Sequence, residues 1–198
     1  MYSQLLNKRY KDKLDKEANE FISFIQASSI KLNQLIDDIL DYSRAGSSEQ
    51  KIESVDLQSI VEEIKLEFTD LITRNQAVIS ISKLPNINID RTQISQLFRN
   101  LIGNALKYCK DNPLVEIGFK EQQNHWQFYI KDNGIGIKPN DQKKIFELFK
   151  RLHAYDQYSG TGLGLAICQR IIKRLNGKIW LESEENKGST FFFTVPKL

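Results

Sequence analysis

DNGIGIKPNDQKKIFELFKRLHAYDQYSGTGLGLAIC, residues 132–168, decides how the rest of the chain is read, because two glycine clusters bracket a short apolar and aromatic helix signal. Gly134 and Gly136 form the first cluster, and Gly160, Gly162 and Gly164 the second, so five of the ten glycines fall here. Glycine in a helix costs up to about 1 kcal/mol relative to Ala. Its repeated use near a helix start signals that something approaches the backbone closely. Phosphate at a helix N-terminus is the leading candidate, with a tight turn packed on a strand as the alternative. GTGLGL lacks the Lys-Ser/Thr of a P-loop and the first-strand context of a dinucleotide fold.

Immediately upstream, Asp132 closes a strand and precedes Asn133-Gly134. A turn-capping Asx residue is one reading. The other is a carboxylate in a cleft that accepts a hydrogen bond from the exocyclic amine of adenine, where guanine presents a carbonyl. Further upstream, a helix from Arg91 to about Lys110 opens with Asp90 and Gln93 in a capping-box spacing. Asn100, Asn104 and Lys107 fall at i, i+4 and i+7, while Ile94, Leu97, Leu101, Ala105 and Cys109 make the apolar face. An amide oxygen suits Mg²⁺, which takes one or two protein oxygens and completes its shell from water and phosphate. Lys neutralises phosphate. An exposed polar face is the bland alternative for this helix.

The remaining elements alternate. Lys51–Val55 reads as a strand, and Asp56 caps a helix through Leu57, Ile60, Val61, Ile64, Leu66, Phe68 and Leu71. Residues 77–82 and 86–89 read as strands, and Leu114–Lys120 with Trp126–Lys131 as a hairpin around EQQNH. A short helix is expected near residues 141–149 and a longer one from GTGLGL to Leu175, followed by a hairpin over 178–183 and 190–195. Before all of these, apolar or small residues recur at Ala18, Ile22, Ile25, Ser29, Leu32, Ile36, Ile39 and Ser43, with a second line through Phe21, Phe24, Leu35 and Leu40. This predicts a helix over about 14–44 that belongs to an antiparallel bundle and needs a partner. Tyr2–Arg9 reads as the tail of another helix with YKDKLD as the turn, and AGSSEQ, residues 45–50, as a linker.

Composition removes several classes of function. Hydrophobic residues are 40% and charged residues 27%, with 28 Lys+Arg interleaved among 25 Asp+Glu for a net charge of +3. That is a solvated surface with no nucleic-acid footprint. No apolar run reaches the ~18–20 residues of a bilayer span, and MYSQLLNKRYKDK has no signal-peptide core. The expectation is a cytoplasmic chain without membrane insertion. Cys109 and Cys168 lack metal or redox spacing and read as reduced structural thiols.

In combination these stretches resemble the histidine-kinase branch of the GHKL ATP-binding superfamily, whose members share the Bergerat fold. NLIGNALKY resembles the N box, DNGIGI the G1 box, IFELFKR the F box, GTGLGLAIC the G2 box and GSTFFF the terminal element, in the family's order. LIDDILDYSRAG resembles the second helix of the dimerisation and histidine-phosphotransfer hairpin, and RLHAYDQYSGTGLGLAIC looks most like phytochrome-type sensor kinases. The resemblance implies an α+β fold, a two-layer sandwich of a mixed sheet on helices, preceded by a long helix. It implies a truncated hairpin and linker over 1–50 and an ATP-binding catalytic domain over 51–198.

Residue by residue, the resemblance implies that Asn104 ligates Mg²⁺ with Asn100 lining the site one turn earlier, and that Lys107 and Tyr108 face phosphate or ribose. Asp132 would bind the adenine amine with water-mediated support from Thr190, while Gly134, Gly136 and Ile137 pass beneath the base. Lys150 or Arg151 would reach the γ-phosphate, and Gly160, Thr161, Gly162, Leu163 and Gly164 would hold the triphosphate. Phe146 and Phe149 would anchor a mobile segment over 151–159.

Hydrolytic members of the superfamily carry a general-base Glu where this chain has Asn100, so a dedicated hydrolase is disfavoured. Phosphoryl transfer needs positioning and charge neutralisation, and its acceptor imidazole can come from elsewhere. The two histidines, His125 before Trp126 and His153 after the F box, do not match the family's phosphoacceptor context. The expectation is therefore the Mg-ATP-binding core of a sensor histidine kinase, a fragment whose acceptor His lies upstream. Its partners would be a response regulator receiver domain, a second copy through the helical hairpin, and an upstream sensory domain. A non-catalytic nucleotide-binding signalling module is the alternative, and a serine kinase of the anti-sigma type shares the boxes but usually lacks the long upstream helix.

Overall fold

The computed structural model describes residues 5–6, 9–10, 14–47, 50–109, 111–152 and 160–197. Two compact units result, residues 1–40 and 41–198. Helix α1 spans Lys16–Ser47 and starts where Asp15 Oδ1 accepts the Ala18 N–H at 2.8 Å. Within the first unit its apolar lines are exposed at Phe21, Phe24, Ile25, Leu32 and Ile36, and Ile22 is buried. Leu5, Leu6, Arg9 and Tyr10 are helical. The rest of the expected helical stub, and residues 11–13 of the turn after it, lie outside the described residues.

In the second unit, β1 (Ile52–Asp56) pairs antiparallel with β3 (Asn86–Asp90). Asp56 ends β1 and caps α2 (Leu57–Glu67) by accepting the Gln58 N–H at 2.9 Å. Leu57, Ile60, Val61 and Ile64 of α2 are fully buried, the i, i+3, i+4, i+7 stripe of a helix on a core. The sequence predicts one helix through Leu71, but the chain breaks at Phe68. Thr69 Oγ1 donates to the Leu66 carbonyl at 2.7 Å, a side-chain bond that competes with the helical ladder. A second helix, α3 (Thr69–Asn75), ends at Gln76 in the left-handed region, with the Ala77 N–H on the Ile72 carbonyl at 2.9 Å.

Helix α4 spans Arg91–Lys107. Asp90 caps it as expected, Oδ1 accepting the Gln93 N–H at 3.1 Å, but Oδ2 accepts the Lys51 N–H at 3.2 Å. The reciprocal half of the capping box is not formed, because the buried Gln93 side-chain amide has no hydrogen-bond partner among the described residues. Arg91 and Arg99 make paired hydrogen bonds to Glu63 and Glu67 of α2, all between 2.7 and 2.9 Å.

The main sheet has the order β2-β4-β5-β7-β6, built from Val78–Ile81, Leu114–Glu121, His125–Asp132, Gly188–Pro196 and Ile179–Glu184 respectively. Only β2 and β4 run parallel, so the sheet is mixed. Its core face meets α4 through three fully buried aromatics: Phe128 and Phe193 stack at 5.1 Å as in-register partners, and Phe98 packs edge-on against them at 6.2 and 5.5 Å. Helix α5 (Gly164–Arg174) adds buried Ala166, Ile167, Cys168, Ile171 and Ile172 to the same layer. This is the α+β Bergerat sandwich expected from the sequence. The short helix expected over 141–149 is reduced to a single 3₁₀ turn at Lys144–Phe146, since Asp141 and Lys144 donate to carbonyls three residues back.

The end of α1 belongs to this unit. Gln96 donates to Asp41 Oδ2 at 2.7 Å, the Arg170 guanidinium lies 4.3 Å from the Tyr42 ring centre, and Ala45 is buried. Among the described residues no helix is long and apolar enough to cross a membrane.

Candidate functional site

A cleft opens where the C-terminal end of α4, the loop after β5 and the N-terminal end of α5 converge. Asn104 and Tyr108 line it from α4, Asp132 and Ile135–Ile137 from β5 and its loop, Ile145 and Lys150–Leu152 from the 3₁₀ region, Leu165 from α5, and Ser189 and Phe191 from β7. The structure thus brings together Asn104, Tyr108, Asp132, Gly136, Ile137, Lys150 and Arg151 of the residues expected from the sequence.

Asp132 is held from one side. Its Oδ1 accepts the Gly134 N–H at 2.8 Å and the Ser189 N–H at 3.1 Å. Burial pushes its carboxyl above the ordinary value against the opposing effect of these two N–H groups. No described residue donates to Oδ2. A buried carboxylate with one oxygen satisfied and the other toward a cleft is arranged to accept from a ligand amine. Gly134 is needed because a Cβ there would meet the Tyr108 carbonyl, which itself accepts the Ile135 N–H at 2.9 Å.

The Asn104 side chain has no hydrogen bond to a described residue, so its amide oxygen is available to a hard cation. No group of three or more His, Cys, Asp or Glu among the described residues forms a metal cage. This donor set fits an ion that brings most of its own oxygens as phosphate and water. Lys107 does not line the cleft; its Nζ lies 3.0 Å from the Tyr108 hydroxyl and 4.4 Å from that ring's centre, and against Gly160, where a Cβ would come within 2.7 Å. Its charge therefore stands beside the second glycine loop.

That loop leads into α5, whose first residue is Gly164 and whose N-cap, Leu163, makes no side-chain cap. The open N–H groups and the helix dipole favour an anion there. Gly162, at φ +80°, packs so closely on Phe149 and Lys150 that a Cβ would lie 2.9 Å from the Phe149 carbonyl carbon. Thr161 and Leu163 are buried, with the Leu163 N–H 3.4 Å from Thr161 Oγ1. None of residues 160–164 lines the cleft wall itself.

Two expected positions differ. Asn100 does not line the cleft: its Nδ2 donates to the Gly164 carbonyl at 3.3 Å, so it fastens the start of α5 to α4. Thr190 does not stand by Asp132. It pairs with Lys131, whereas Ser189 pairs with Asp132. In-register partners share a sheet face and neighbours along a strand do not, so Ser189, and not Thr190, shares the face of Asp132. Phe146 packs on the core, and Phe149 is exposed with φ +60°. His125 begins β5 opposite Pro196, and His153, with residues 153–159 of the expected mobile segment, lies outside the described residues. Neither cysteine is in a disulfide, and burial pushes the Cys168 thiol up to about 12, which agrees with a structural thiol.

Sequence reasoning missed the backing of the loop. Asn186 N–H donates to the Ile135 carbonyl at 2.7 Å, Ile137 N–H to Ser183 Oγ at 2.8 Å, and Gln142 Nε2 to the Ile137 and Ser183 carbonyls at 3.1 and 2.9 Å. The turn between β6 and β7 therefore holds the loop after β5. The only signal for it in the sequence is the β-hairpin itself.

Comparisons with known proteins agree with this geometry. Residues 89–198 match the family described as histidine kinase-, DNA gyrase B- and HSP90-like ATPase. The phytochrome-like protein Cph1 of Synechocystis sp. is 40% identical over 196 residues, covering 98% of this chain and 26% of that protein. The chain thus spans about a quarter of the length of that relative. Full-length ShkA, crystallised with AMPPNP, superposes with a TM-score of 0.77 at 25% identity, over 98% of this chain and 41% of that one. The catalytic domain of the histidine kinase ThkA gives a TM-score of 0.65 at 28% identity, over 74% of this chain and 98% of that one. Because the family match takes in every residue that lines the cleft, the chain belongs to the histidine kinase-, DNA gyrase B- and HSP90-like ATPase family, as an ATP-binding catalytic domain of the histidine-kinase type.

Proposed function

We propose that this chain is the Mg-ATP-binding core of a two-component sensor histidine kinase and presents the γ-phosphate to a histidine outside it. The observation that carries this reading is Asp132: a buried carboxylate whose Oδ1 is occupied by the protein and whose Oδ2 is left for a base amine. In this reading Asp132 accepts from adenine N6, the Asn104 amide oxygen ligates Mg²⁺, Lys107 faces phosphate beside Gly160, and Lys150 and Arg151 stand at the γ-phosphate end. Bound Mg²⁺ supplies charge neutralisation on the phosphates. The protein's part is to orient the nucleotide and hold charge in place.

Phosphoryl transfer is favoured over hydrolysis by the cleft's composition. Asp132 is the only carboxylate among the described lining residues, and the base engages it. Asn100, tied to Gly164, offers no proton acceptor for water. The exposed apolar lines of α1 suit a homodimer through a helical hairpin whose second helix is α1, with residues 1–50 as hairpin and linker and 51–198 as catalytic domain. The response regulator receiver domain, the upstream sensory domain and a cytoplasmic setting follow from the same reading.

The test is incubation of the full-length protein that carries this chain with Mg-ATP labelled at the γ-phosphate. Acid-labile, base-stable label on a histidine upstream of Tyr2 is expected. ATP binding without any such label assigns the chain instead to a non-catalytic nucleotide-binding module.

A further inference from the structure

The contacts behind the base site form a closed network around one hydroxyl. Ser183 Oγ accepts the Ile137 N–H at 2.8 Å, donates to the Gly188 carbonyl at 3.0 Å and lies 2.9 Å from Ser189 Oγ. Gln142 closes the ring by donating to both the Ile137 and Ser183 carbonyls. Ile137 and Ser189 line the cleft, whereas Ser183 does not.

A hydroxyl has one proton and two lone pairs. Either hydroxyl could donate in the serine pair; the Gly188 carbonyl, which can only accept, takes the Ser183 proton and leaves Ser189 as the donor. Ser189 Oγ then has only lone pairs to offer the cleft, in the same position on the sheet as Asp132. The cleft floor presents two acceptors, Ser189 Oγ and Asp132 Oδ2. An amine edge satisfies both, whereas a carbonyl edge places a third acceptor against them and leaves polar groups unpaired.

We propose that Ser183, from outside the cleft, is a specificity-determining positioning residue that fixes the Ser189 hydroxyl as an acceptor and makes the site prefer a 6-amino over a 6-oxo purine nucleotide. This rests on the reading of the cleft as an adenine site. Gln142 has a separable part. It holds the Ile137 loop in place without touching the direction of the Ser189 proton.

The experiment is calorimetric titration of the chain and its Ser183→Ala, Ser183→Thr and Gln142→Ala variants with Mg-ATP and Mg-GTP, alongside thermal melts. Ser183→Ala is expected to narrow the ATP-to-GTP affinity ratio by about tenfold, as the released Ser189 hydroxyl turns its proton to the purine carbonyl. Ser183→Thr, which keeps the hydroxyl, restores the ratio. Gln142→Ala weakens both nucleotides and leaves the ratio unchanged. A wild-type ratio in Ser183→Ala overturns the proposal while the adenine reading stands. If Ser183→Ala does not fold, a changed ratio in Ser183→Thr or in Gln142→Ala overturns it. Equal ATP and GTP affinities in the unmodified chain overturn the adenine reading, and the proposal with it.

Discussion

Ser189 donates its backbone N–H to Asp132 Oδ1 at 3.1 Å across the β5–β7 register, and so the carboxylate is oriented by the strand beside it. Strand pairing leaves Oδ2 without a donor among the described residues. In the proposed reading the sheet is thereby part of the base site, and substitutions at Asp132 separate binding from stability.

Burial holds the Asp132 carboxyl above its ordinary value. The folded chain binds that proton more tightly than the unfolded chain, so stability falls as pH rises from the ordinary carboxylate value through the raised one. The cost is fully present above the raised value. Asp132→Asn removes this cost while its amide oxygen keeps an acceptor for Gly134 and Ser189. Denaturant melts are expected to place the variant at or above the unmodified chain at pH 8, with that advantage absent at pH 3. Its affinity for Mg-ATP should drop about tenfold or more, the effect of a hydrogen bond to a charged group. A lower midpoint at pH 8 contradicts the buried-charge assignment.

Gly162→Ala puts a side chain at φ +80° and against Phe149. The left-handed conformation alone costs about 1–2 kcal/mol. Relief requires the backbone of Phe149 and Lys150, the latter a lining residue of the cleft, to shift. Weaker Mg-ATP binding with a melting temperature lowered by a few degrees is expected, and unchanged affinity speaks against a role for this loop in holding phosphate.

Phe98→Ala removes the aromatic that joins α4 to the stacked Phe128–Phe193 pair. Such a truncation costs about 3–5 kcal/mol out of the ~5–15 kcal/mol that holds a domain folded. Urea titration followed by near-ultraviolet circular dichroism reads the loss. A change below about 1 kcal/mol is incompatible with the packing described, because that is the range of surface substitutions.

Tyr42→Ala removes the ring under Arg170. A cation–π contact of this kind contributes about 0.5–2 kcal/mol. Hydrogen exchange should rise over residues 41–47 and stay unchanged over the buried part of β5. Protection equal to that of the unmodified chain over 41–47 indicates that the end of α1 is held by other means.

Much of the fold was legible because local signals agreed. Asp56 and Asp90 do cap α2 and α4, and Leu57, Ile60, Val61 and Ile64 of α2 are buried as spaced, whereas Leu66, counted in the same stripe, is exposed. Where the sequence misled, other hydrogen bonds replaced the α-helical ladder. Thr69 takes the Leu66 carbonyl and ends α2; over 141–149 the backbone bonds three residues back and forms only a 3₁₀ turn. The site divides in the same way. Asp132 and Asn104 are marked by their glycine neighbours and helical spacing. Choosing Ser189 over Thr190 depends on register, and STFFFT has too little polar and apolar alternation to set it. Asn100 has the right spacing to Asn104, but the partner that claims its amide, Gly164, is 64 residues away.

The most direct test of the central claim is titration of this chain with Mg-ATP and Mg-GTP at one ionic strength. One saturable site for Mg-ATP, with Mg-GTP clearly weaker and Asp132→Asn narrowing the preference, is the predicted result. No saturable Mg-ATP binding, or equal affinity for the two nucleotides, would contradict it.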